Sequence, residues 1–165
     1  MLRDSLLTIH VLGVIVWLGF GGYELLLSHE IRKARGTAIV PYVGGIKPVF
    51  EILRPGQCEV TLTKRRSLLN GYGSIHLAAL SNVAELAAAA MIEVTLPLTH
   101  RWITKSMNMQ FHKKAMTDVR AVSALDPIPV FGEAQEVPLT AKVLDTEDQL
   151  VATAVFTMWV SPKKR

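Results

Sequence analysis

The chain has 165 residues, half of them hydrophobic, and a formal net charge of +4 at pH 7. That length and apolar content fit one domain around a single core and exclude a disordered chain. The positive excess is mild and forms no long basic run, which excludes a nucleic-acid signature and leaves anionic small molecules or lipid head groups as partners; the single cysteine, Cys58, excludes an internal disulfide and a cysteine-based zinc site.

The first predicted element is the apolar stretch from Leu6 to Leu27, "LLTIHVLGVIVWLGFGGYELLL", interrupted by only two strongly polar side chains, His10 and Glu24. As a helix rising about 1.5 Å per residue it is long enough to cross a hydrocarbon core of about 30 Å. Gly13, Gly19, Gly21 and Gly22, with Glu24 near one end, fit equally a first helix packed on the domain, so both readings stand. No small-residue cleavage site of the A-x-A type comes after it, which argues against a signal peptide. If the stretch inserts, Arg32, Lys33 and Arg35 hold the main domain on the cytoplasmic side. The expected location is therefore the cytoplasm, free or attached to a membrane through residues 6–27. Gly36, Pro41, Gly44 and Gly45 then mark a connection, dividing an N-terminal helix over 1–36 from a main domain over 37–165.

In that domain "IKPVFEIL" reads as a strand, "RPG" as a turn, and "QCEVTLTK" as a second strand with Cys58, Val60 and Leu62 on one face. A helix rich in Ala and Leu is predicted from His76 to about Ile92, with few charges, as for a helix wrapped by other elements. "ITKSMNMQF" comes next as a half-buried strand, with Ile103, Met107, Met109 and Phe111 on the core face and the methionines serving as packing. "TDVRAVSA", "EVPLTAKVL" and "QLVATAVFTMWV" supply three more strands, the last two joined by the turn "DTED". One long helix and six strands in this order point to an α+β fold, an antiparallel sheet curled around the helix.

The core helix carries one carboxylate among its alanines, Glu85, which would cost several kcal/mol to bury without partners and so calls for a polar cleft or a chemical role. The stretch "NGYGSIH" with Glu85 nine positions after His76 resembles the active-site pattern of hotdog-fold acyl-CoA thioesterases, in particular the branch typified by the phenylacetate-degradation thioesterases. "PYVGGIKPVFEILRPGQCEV" and "RWITKSMNMQFHKKA" extend the likeness over roughly residues 40–162. The resemblance implies a hotdog fold, a homodimer or tetramer with active sites at the dimer interface, an acyl-CoA substrate and no cofactor besides the substrate's own coenzyme A. It assigns catalysis to Glu85, Asn70 and His76, and the oxyanion-binding turn to Gly73, Leu77 and Ala78. Asn82, Lys113, Lys114 and Arg120 become candidate substrate contacts, the cations for the phosphates. The chain departs from the pattern with Leu77 and Ala78 where two glycines are usual, and with Glu rather than the commoner Asp at Glu85. The "GHFP" stretch of the related dehydratases is absent, as are a G-x-S-x-G elbow, a Walker loop and any grouping of the five histidines fit for a metal.

The helix geometry makes its own demand. Nine residues span about 13 Å and two and a half turns, which sets His76 and Glu85 on opposite faces if both are helical. They can share a site only across two chains related by a two-fold axis. The backbone N–H groups from His76 to Ala78 are expected to point out unsatisfied at the positive end of the helix, ready to hold an oxyanion. The competing reading is a hotdog protein that binds acyl-CoA or lipid without hydrolysing it.

Overall fold

A computed structural model describes residues 45–163. The chain divides into two units, Met1–Lys47 and Pro48–Arg165, and the second holds all the elements named below. The apolar stretch 6–27 and the predicted boundary at 36–37 lie outside the described residues.

Six strands and one long helix occur in the expected order: β1 (Val49–Arg54), β2 (Gln57–Leu62), α1 (Leu77–Thr95), β3 (His100–Phe111), β4 (Val119–Ala124), β5 (Gln135–Asp145) and β6 (Leu150–Pro162). All pairings are antiparallel and the sheet order is β1-β2-β4-β5-β6-β3. This is the hotdog arrangement, with α1 packed chiefly on β4, β2 and β5. β1 begins at Val49 rather than Ile46, because Pro48 offers no N–H to a ladder. Its hairpin to β2 turns at Gly56, whose φ of +79° favours glycine and where a Cβ would meet the Leu125 carbonyl oxygen at 3.1 Å.

The helix buries Ala79, Leu80, Val83, Ala84, Ala87, Ala88, Met91 and Ile92, pairs of residues recurring every fourth position. Four of these are alanines, so the helix can sit close to Val60, Leu62, Leu139 and Phe156 of the sheet, each of them also buried. Every large side chain so buried contributes about 1.5–3 kcal/mol. Cys58 belongs to this core, and burial, with a smaller push from Glu59, raises its thiol pKa to about 12. At the far end Leu96 turns extended (φ −73°, ψ 142°), the conformation required before Pro97, and the helix stops.

β3 departs from expectation twice. A bulge at Lys105 breaks the register with β6, so the alternation does not run through the strand. Met107, Met109 and Phe111 stand opposite the buried Phe156, Ala154 and Ala152, whereas Ile103 stands opposite Trp159 and faces the other side. Nor are the methionine-side residues core: Met107 is 46% and Phe111 40% exposed, since β3 is the last strand of the sheet.

Candidate active site

The segment between β2 and α1 is built around Asn70. Its Oδ1 accepts from the Tyr72 N–H (2.9 Å) and the Ser74 N–H (3.3 Å), and its Nδ2 donates to Ser74 Oγ (2.8 Å). Backbone bonds from Asn70 N–H to the Ser74 carbonyl (2.9 Å) and from Gly73 N–H to the Asn70 carbonyl (3.1 Å) close the turn, and Gly73 supplies the left-handed residue at φ +75°. The Ile75 N–H donates to the Ala115 carbonyl (2.9 Å) and the His76 N–H to the Leu68 carbonyl (2.7 Å), pinning the turn to its neighbours. Asn70 thus has one amide proton left over for a ligand.

His76 is the N-cap of α1 rather than its first helical residue, and its Nδ1 accepts from the Ala78 N–H at 3.1 Å. This corrects the expectation of free donors from His76 to Ala78. The His76 and Ala78 N–H groups are satisfied within the chain, and only that of Leu77 lacks a partner among the described residues. The remaining free donor lies at the positive end of a nineteen-residue helix.

A cleft of about 370 Å³ opens here, and it brings together Asn70, Leu77, Lys113 and Lys114 of the expected residues. Tyr72 and Ser74 also line it, neither of them expected in the site, and so does Phe111, expected only as strand packing. Tyr72 lies between the two glycines of "NGYGSIH", and Phe111 is the last residue of β3, the edge strand.

The candidate cations separate. Lys113 binds the buried Asp145 at 2.5 Å, while Lys114 lies with its Nζ 5.6 Å from the centre of the Tyr72 ring. Lys113, followed by the Gln149 and Glu147 N–H groups, holds the Asp145 carboxyl below its ordinary range. Arg120 stands on β4, outside the cleft, paired with Glu59 (3.2 Å) and Asp148 (2.7 Å).

Glu85 and Asn82 do not line the cleft either. With Ala78 they form the helix stripe turned away from the buried one, and Glu85 is solvent-exposed. The burial cost expected for this carboxylate is therefore absent in a single chain: among the described residues the core covers one side of α1 and leaves Glu85 exposed.

A family model described as "Domain of unknown function (DUF4442)" matches residues 29–160. A structural-genomics protein, APC5556, is 34% identical in its crystal structure, with a TM-score of 0.74 over 91% of this chain and 96% of that one. Thioesterase HI1161 from Haemophilus influenzae is 15% identical, TM-score 0.64, over 73% of this chain and 82% of that one. A variant of the phenylacetic acid degradation protein PaaI from Thermus thermophilus is 21% identical, TM-score 0.61, over 72% of this chain and 97% of that one. At such identities the last two speak to fold. No curated protein matches the sequence.

Proposed function

We propose that this chain, which belongs to the DUF4442 family and has the hotdog fold of thioesterases, hydrolyses fatty or aryl acyl-CoA thioesters at sites shared between two copies. The observation that carries the reading is the cleft at the head of α1, where the Asn70 amide and the unpaired Leu77 N–H occur together. A thioester carbonyl entering there accepts from Leu77, and the charge that develops on its oxygen meets a fixed donor and the helix dipole.

The carboxylate must come from elsewhere, since Glu85 lies on the open stripe of the helix. Among the described residues β3 presents an unpaired twelve-residue edge with Met107 and Phe111 exposed beside it, the kind of edge a second copy pairs with. Across a two-fold axis, Glu85 of one protomer serves the cleft of the other. It takes a proton from water as the oxygen attacks the carbonyl carbon, or attacks directly to give an anhydride that water then opens. In either route the C–S bond breaks and coenzyme A leaves as thiolate, which needs no strong acid, so His76 acts chiefly by capping α1. No cofactor is required beyond the coenzyme A of the substrate. The reaction takes place in the cytoplasm, or on the cytoplasmic face of a membrane where residues 6–27 insert.

Coenzyme A release from short-, medium-, long-chain and aryl acyl-CoAs tests this with Glu85→Ala and Glu85→Gln at matched oligomeric state. Both variants should lose about a hundredfold or more in kcat with melting temperature little changed. Acyl-CoA that binds but is never hydrolysed by the wild type would make the protein a binding module.

A further inference from the structure

Two short segments contribute to the cleft lining, one within residues 70–75 and the other residues 111–115, tied together by Ile75 N–H on the Ala115 carbonyl (2.9 Å). Two cations stand among these residues, Lys113 and Lys114. Lys113 is committed to Asp145, whereas Lys114 makes no ion pair among the described residues and rests over the Tyr72 ring instead. Tyr72 is 83% exposed, yet its backbone is held by the bond from its N–H to Asn70 Oδ1. The turn thus presents an open aromatic face with a cation beside it, a pair able to stack a heteroaromatic ring and to meet an anion.

We propose that Tyr72 and Lys114 form a nucleotide subsite: the adenine of coenzyme A stacks on the Tyr72 ring, and Lys114 shifts from ring to phosphate. The proposal rests on the acyl-CoA reading above and extends it to the far end of the substrate. Tyr72 and Lys114 line the same cleft as Asn70 and Leu77, so one bound molecule can meet all four. A nucleotide suits the pair better than the acidic surface of a carrier protein, which the cations alone would attract and which has no use for an exposed ring.

The test uses the full-length chain, titrated by calorimetry with adenosine 3′,5′-bisphosphate, as wild type, Tyr72→Ala, Lys114→Ala and Lys114→Arg. In parallel, kcat/KM is measured for one acyl group carried on coenzyme A and on pantetheine, which lacks the nucleotide. Each alanine variant should weaken bisphosphate binding about five- to tenfold and lower the CoA-to-pantetheine ratio of kcat/KM by a similar factor, through KM, with Lys114→Arg largely restoring both. Three outcomes overturn the subsite: a wild type that does not bind the bisphosphate, binding equal in all four proteins, or both thioesters falling together so that the ratio holds. Faster turnover of an acyl carrier protein thioester than of acyl-CoA, lost in Lys114→Ala but not in Tyr72→Ala, overturns it in favour of a protein partner. Bisphosphate binding that depends on both residues, in a protein that cleaves no thioester, supports the subsite and removes the hydrolase reading instead.

Discussion

Leu77 occupies the first helical position, where a backbone N–H has no acceptor within the helix, and its side chain is 52% exposed. That position tolerates proline, whose fixed φ suits the first turn and whose missing N–H is not otherwise needed. His76, at φ −66° and ψ 144°, already has the conformation required before a proline. Leu77→Pro should therefore fold with a melting temperature close to wild type, yet lose about a hundredfold in kcat because the oxyanion donor is gone. Leu77→Ala, which keeps the N–H, is the control and should retain most activity. Turnover in Leu77→Pro equal to that of Leu77→Ala would exclude this N–H from the reaction. The turn that frames the candidate site was legible in "NGYGSIH", since glycine at a left-handed position and an amide-bearing turn residue announce themselves by chemistry. Which donor stays free was not, because it depends on the His76 ring turning back to Ala78, a side-chain choice that no spacing encodes.

At the scale of elements, the end of β5 is joined to the segment after β3 by one carboxylate. Asp145 Oδ1 accepts from the Glu147 N–H (3.0 Å) and the Gln149 N–H (2.8 Å), closing the turn into β6, while Oδ2 binds Lys113. Lys113 first, then those N–H groups, depress its pKa from the ordinary 3.8, so the folded state favours the ionised form. A depressed carboxyl contributes stability that is complete above the unfolded value and fades as pH falls through the folded one. Asp145→Asn should thus melt lower than wild type near neutral pH, and the gap should close as the pH drops below about 4. Thermal melts between about pH 7 and pH 3 measure it, and a gap that stays constant would mean that the charge is not what holds the turn. Nothing local in "DTED" signals this pairing, since Lys113 lies on a distant part of the chain. Strand positions were readable from alternation along β2, where Cys58, Val60 and Leu62 are all fully buried. The same logic failed on β3, because a one-residue bulge at Lys105 leaves no mark on composition yet turns every later side chain to the other face.

For the whole molecule, what matters is how the exposed Glu85 and a cleft with a free donor would come to share one reaction. Within one chain they sit apart, and the surfaces left open are the same ones a second copy would need: the β3 edge, Met107 and Phe111 beside it, and the stripe of α1 carrying Glu85. A stable pairing of this kind buries about 800 Å² on each partner, which a twelve-residue edge plus one helix face can supply. The element order of the fold was legible from sequence; this unfinished edge was not, because alternation shows that a strand has an apolar side without showing what covers it. Met107→Lys places a charge in the middle of that edge, where two-fold symmetry brings like charges together, and should shift the protein from dimer to monomer in light scattering. Because each cleft would then lack its carboxylate, activity per chain should fall with the dimer fraction and recover as protein concentration is raised. A Met107→Lys monomer with the full kcat of the wild type would place the whole reaction inside one chain, and Glu85, which does not line the cleft, would no longer be its base.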